Sequence, residues 1–395
     1  MTPLSHPNQS ICQERDMRNH RRGSVVDGHA DLHSELGPNR GEHSGRAINP
    51  TIKVADLAWL EFVKPDLKRA ETFARDFGFV VAASKPDALY LRGSLPGTPA
   101  MVIRKGAHSR FVGPTFKAAE KQDLQRLAQA TGTRVEPLDE PIAGSIVRLS
   151  DPSGFAVAVT HVNDELPALG ERAPHVFNVG TTLPRVNATQ RPPRAPAPVQ
   201  RLGHVVLQTP QFVRTLNWYL DTFGMIVSDF QFAPGRRDLG PVMAFIRCDR
   251  GSVPADHHTL ALLLGPVAGY AHSAYQVTDF DTVAAGGEYL LEKGYHRAWG
   301  IGRHTLGSQI FDYWADPDKI FVEHFTDGDM FDNTVQPGWE PLTASSLAQW
   351  GPRVPPEFMG AKPSLQLVRN MVSGLRGDNE YTLPKLAAMV KGAQR

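Results

Sequence analysis

The sequence predicts an α+β fold built from four repeated βαβββ modules paired into two domains. Three observations carry that prediction. "LAWLEFVKPDLKRAETFARDFGFVV" is matched by "LGHVVLQTPQFVRTLNWYLDTFGMIV" far downstream, so a β-type run, a turn, an amphipathic helix and a Phe-Gly exit occur twice. A weaker copy of the same order begins at "FKAAEKQDLQRLAQATG" and again at "AYQVTDFDTVAAGGEYLLEKG". A Pro-rich break, "TLPRVNATQRPPRAPAPVQ", divides the two halves and favours an extended linker.

Taken in order, residues 1–52 are rich in His, Arg, Asn and Gly with few large apolar groups, and are expected to form a disordered extension. Residues 53–165 form the first predicted domain. Ala70, Phe73 and Phe77 mark the buried face of its first helix, and Gly78 marks the helix exit. Residues 166–198 are the linker, and 199–330 the second domain, whose first helix buries Val213, Leu216, Tyr219 and Leu220 before Gly224. Residues 331–395 are a C-terminal extension, expected to serve as a lid or subunit contact, with "SLQLVRNMVSGLR" and "LPKLAAMVKGAQR" as short amphipathic helices.

Composition narrows the function. Lys+Arg 42 against Asp+Glu 41 leaves no broad positive field, so nucleic acid is not an expected partner. Cys12 and Cys248 are the only cysteines, which excludes a disulfide framework or a thiolate zinc site and points to the reducing cytoplasm. No apolar run approaches the roughly 18 residues of a membrane span. Repeated sheet edges make a homo-oligomer the expected state.

Three residues in the second half have metal-ligand chemistry. His204 in "RLGHVVLQT" and His272 in "GYAHSAYQV" occupy equivalent strands of successive modules, and Glu323 in "DKIFVEHFTDG" shares a strand face with Phe321 and Phe325. A carboxylate on an apolar face is costly unless a cation compensates it. Two imidazoles and one carboxylate are the ligand set of non-haem Fe(II), with Mn(II) as the alternative. The first half has Trp59 at the His204 position and Ala158 at the Glu323 position, so only the C-terminal domain is expected to hold metal.

The run Gly302, His304, Tyr313, Asp316, Pro317 and Glu323 resembles the signature of the type I extradiol ring-cleavage dioxygenases, within the vicinal oxygen chelate (glyoxalase and bleomycin-resistance) superfamily. "DHHTLALLLGPVAGYAH" is similar to that family's stretch between its active-site His and second metal ligand, which selects His258, with His257 as the near alternative. The resemblance covers most of residues 54–327. It implies an Fe(II) enzyme that cleaves a catechol-type ring with O2, as in the catabolism of aromatic compounds. His204, His272 and Glu323 would be its metal ligands, and His258, His304 and Tyr313 its catalytic and substrate-binding groups. His257, His296 and His324 are expected to lie outside the site. Two departures stand out: Asp312 replaces an apolar residue, and Lys319 replaces Gly or Pro. Both are expected to alter the surroundings without removing a ligand. The competing expectation is a metal-dependent lyase, isomerase or small-molecule binding protein on the same scaffold. The pocket wall is expected from "SDFQFAPGRRDLGPVMAFIRC" and from the chain after "DGDMFDN".

Overall fold

A computed structural model describes residues 35–355, 358, 365–376 and 379–393. Four units of strand, helix and three strands follow one another, beginning at Val54–Lys64, Arg110–Ala118, Arg201–Thr209 and Gly269–Gln276. The helices are Leu67–Phe77, Lys121–Thr131, Phe212–Phe223 and Phe280–Glu292. The first two units form one eight-stranded sheet, and the last two form the main part of a second. In each sheet the leading strands of the two units lie antiparallel at the centre, and each is flanked on its other side by the last strand of its own unit, running parallel. The duplication seen in the sequence is therefore a duplication of topology, down to strand order.

The helices form where the apolar spacing predicts. Ala70, Phe73, Ala74 and Phe77 are buried in the first, and Leu216, Tyr219 and Leu220 in the third, while Val213 is only half-buried. Both helices end on a left-handed glycine, Gly78 at φ 115° and Gly224 at φ 63°, each donating back to the last helical turn. A side chain at Gly78 would also strike the carbonyl of Ala197, so the linker crosses against this helix end.

The linker is fastened along its length. Arg172 pairs with Asp279, the N-cap of the helix Phe280–Glu292, and Ala197 is buried. The halves share one apolar core that includes Phe77, Phe116, Tyr219 and Tyr275. They are also joined by polar contacts: His324 stacks on Phe77 at 3.7 Å and donates from Nε2 to the Phe77 carbonyl at 2.7 Å. The buried ammonium of Lys64 pairs with Asp316 and Asp318.

The expected disordered extension needs correction at its end. Residues 1–34 lie outside the described residues, but 37–52 are ordered. Gly37 donates to Pro337, Val227 donates to Gly45, Glu42 pairs with Arg237, and Ile52 is buried. These backbone bonds compensate for the scarcity of large apolar side chains. The C-terminal extension contains the two expected helices, Leu365–Arg376 and Leu383–Ala393. It also contains a strand the sequence did not announce, Gly338–Pro341, which joins the second sheet parallel to Ile226–Phe232 and buries Trp339. Among the described residues no helix is long and apolar enough to cross a membrane.

Candidate metal centre and active site

Sheet register builds the site. His204 lies opposite Ala274, Ala274 opposite Glu323, and Glu323 opposite Tyr313, so one row crosses four strands. His272 lies two residues before Ala274 on the same face. The corresponding row of the first sheet is Trp59, Thr115 and Ala158. There Trp59 and Ala158 pack with Tyr90, Val102 and Ile146 into an apolar interior.

The ligand atoms of His204, His272 and Glu323 all lie within 4.8 Å of one another. Each imidazole Nε2 stands 3.4 Å from Glu323 Oε2. Glu323 is fully buried, and neither carboxylate oxygen has a hydrogen-bond partner. An anion left so in an apolar interior would be strongly destabilising, and a divalent cation bound between the three groups removes that penalty. His204 Nδ1 is also buried without a partner, so packing between His258 (4.0 Å) and Phe325 (5.7 Å) holds that ring.

The other predicted groups converge on the same space. His258 is buried, lines the cavity, and has its pKa pushed well below the ordinary value by burial and then by neighbouring imidazoles. Its Nδ1 is 3.0 Å from His257 Nδ1, and His257 Nε2 is 2.6 Å from Asp229 Oδ2. A carboxylate only accepts, so with a single proton on its ring His257 donates from Nε2 to Asp229 and accepts at Nδ1 from His258 Nδ1–H. That leaves His258 Nε2 as the bare nitrogen. Of the two candidates, His258 lines the cavity and His257 does not.

His304 donates from Nδ1 to the Leu347 carbonyl at 2.7 Å, so its Nε2 accepts from the Tyr313 hydroxyl at 2.8 Å. Burial lowers the His304 pKa to about 4 and raises that of Tyr313 well above 10, so the phenol keeps its proton. Gly302 is required two residues earlier. A Cβ there would lie 2.5 Å from Phe311 and 2.8 Å from the Trp350 carbonyl, where Trp350 bonds the backbone of Arg303. His296 is exposed, and His324 faces the first half.

Asp316 shapes the turn, accepting from the backbone of Asp318 and Ile320, while Lys319 takes φ 65° where glycine would be unstrained. Asp312 points away from Tyr313, as alternation requires, and is buried against Arg297; the absence of a side chain at Gly287 leaves room for the pair. Burial pushes the Asp312 pKa up to about 7 despite that partner. A carboxyl that binds its proton more tightly in the folded chain favours folding below about pH 4 and loses that contribution as pH rises towards 7. Between pH 4 and 7, wild-type unfolding free energy should therefore fall relative to Asp312→Asn, on the order of 3 kcal/mol. Urea titrations of both proteins at several pH values test this, and parallel profiles would refute it.

The sequence missed Asp229 and Lys64, whose partners lie 28 and 252 residues away. Gln231, fully buried in the cavity wall, lies in a predicted wall segment but was not singled out there. The predicted wall segments do contribute Met243 and Phe245 from one side and Leu342, Leu347 and Phe358 from the other.

Residues 201–324 match the Glyoxalase/Bleomycin resistance protein/Dioxygenase superfamily. The modules and the sheet-borne site thus belong to a known class of protein. The chain is 34% identical to Metapyrocatechase 2 of Cupriavidus necator over 79% of its own length and 94% of that protein's. It is 27% identical to an iron-dependent extradiol dioxygenase of Rhodococcus jostii over 76% and 97%. The chain belongs to the extradiol dioxygenases of this superfamily. Its fold is shared with the anaerobic substrate complex of homoprotocatechuate 2,3-dioxygenase from Brevibacterium fuscum (TM-score 0.63, 20% identity, 80% and 95% coverage). It is shared equally with a Mn(II)-bound glyoxalase from Novosphingobium aromaticivorans (TM-score 0.64, 22% identity, 79% and 95% coverage).

Proposed function

We propose that this extradiol dioxygenase opens a catechol-type ring with O2, using Fe(II) held by His204, His272 and Glu323. The observation that carries the reading is the Glu323 carboxylate, fully buried, without a hydrogen bond, and flanked by two imidazole nitrogens. When bound, Fe(II) supplies adjacent open positions at which the two catechol oxygens and O2 can meet. Nitrogen and oxygen donors favour Fe(II) over Mn(II) at equal availability. A dication with one carboxylate ligand leaves about one positive charge, which a catecholate monoanion neutralises.

The protein's own groups then move the protons. His258 is neutral at physiological pH and presents Nε2, so it takes a hydroxyl proton from the bound diol and later returns one. His257, backed by Asp229, positions His258 and stabilises the imidazolium when that proton arrives. The Tyr313 hydroxyl, oriented by His304, accepts a hydrogen bond from a substrate hydroxyl through its free lone pair. A passive binder on this scaffold has no use for an acid/base pair beside the metal, and O2 uptake separates the dioxygenase from a lyase or isomerase.

The test is anaerobic purification, loading with Fe(II) or Mn(II) in parallel, and addition of catechols in air. Fe(II) protein should consume O2 and form the yellow ring-opened product, with Mn(II) protein less active. Stoichiometric metal binding with no O2 uptake from any catechol would refute the dioxygenase reading and favour the non-oxidative alternative.

A further inference from the structure

The cavity above the metal row measures about 570 Å³. A dry apolar cavity of about 150 Å³ accommodates one benzene ring, so a catechol alone would leave most of this space unfilled. His204, Val206 and Gln208 face the cavity in turn along one strand, and the four residue steps from His204 to Gln208 span about 13 Å at the usual strand rise. The rows between are apolar. Val206 lies opposite Ala261 and Ala261 opposite Phe245; one row further, Gln208, Leu263, Met243 and Gln231 lie abreast. The first half completes the wall with Phe111 and Phe155.

The wall also lacks charge. Among the described residues that line it there is no carboxylate and no Arg, and its one Lys, Lys319, is exposed at the rim. Arg236 and Arg237, the nearby candidates for a substrate carboxylate, are paired with Asp238 and Glu42 and do not line the cavity. A charged substituent would lose its hydration here without gaining a partner. At the far end, Gln231 donates to Glu340 and Ser346 while its buried Oε1 has no partner, marking a polar limit to the apolar run.

We propose that the substrate is a catechol carrying a bulky, uncharged, largely apolar substituent, at least one further ring, which extends from the metal row towards Gln208 and Gln231. The inference rests on the placement of the metal at His204, His272 and Glu323. It makes the metal-free half a determinant of specificity, because Phe111 and Phe155 close the space the substituent fills.

The experiment compares catechol, phenylcatechol and carboxymethylcatechol on Fe(II)-loaded full-length enzyme. In parallel, it measures anaerobic binding of the same three compounds through quenching of tryptophan fluorescence, Trp299 lying in the cavity wall. Phenylcatechol should exceed catechol about tenfold or more in kcat/KM and in affinity, with carboxymethylcatechol below both. In Leu263→Phe, which fills the distal row, the phenylcatechol to catechol ratio should collapse towards one. Turnover with catechol equal to or better than phenylcatechol, or a preference for carboxymethylcatechol, overturns the substrate class while leaving the dioxygenase reading intact. Preferential binding of phenylcatechol without turnover has the opposite meaning. Absence of both defeats both.

Discussion

Glu323→Ala is expected to give a folded protein that no longer retains iron and has no measurable ring-cleavage activity. The first half of the chain supplies the structural precedent, because Ala158 occupies the equivalent place in an intact sheet row. In the metal-free state the substitution removes a buried anion without hydrogen bonds, so metal-free variant and metal-free wild type should unfold at similar temperatures, or the variant higher. The difference should emerge on loading. Iron at 100 times its dissociation constant stabilises the wild type by about 2.7 kcal/mol and leaves the variant unmoved. Metal analysis after gel filtration, together with melting curves with and without Fe(II), tests the prediction. An alanine variant that retains stoichiometric iron would show that the ligand set is wrong.

His258→Gln separates proton transfer from metal binding. Glutamine can still pack beside His204 but cannot accept and return a proton, so kcat should fall by about 10²–10⁴ while iron content stays at the wild-type level. Anaerobic binding of the catechol should weaken far less than kcat falls. Loss of iron in this variant would move His258 into the ligand set, and wild-type turnover would remove it from the chemistry. Replacing His257 should be milder, because it takes away only the acceptor that orients His258.

How much of this was legible in the sequence follows from the range of the interactions. His204, His272 and Glu323 could be found because a period of two places each on the inner face and because the duplicated half serves as a control. The row Trp59, Thr115, Ala158 against His204, Ala274, Glu323 is that control in three dimensions. Tyr313 and His304 followed from motif spacing. Asp229 was invisible because nothing local distinguishes a strand aspartate that meets His257 from one that faces water. Lys64 reads in sequence as an ordinary charged residue leaving a strand, and its burial against Asp316 depends on how the two halves meet. The order of residues 37–52 came from backbone bonds to residues 170 to 300 positions away, which composition does not register.

The short strand Phe321–Thr326 divides its work between odd and even positions. Glu323 turns one way, towards His204 and His272, while the next residue, His324, turns the other and is anchored to the Phe77 carbonyl across the seam. A single peptide bond thus separates a metal-ligand position from an inter-half fastening. The two duplicated halves consequently cannot be treated as a catalytic body with a detachable ornament: a displacement at the seam acts on the same rigid strand that aims the carboxylate, and by reciprocity a cation gripping that carboxylate steadies the seam.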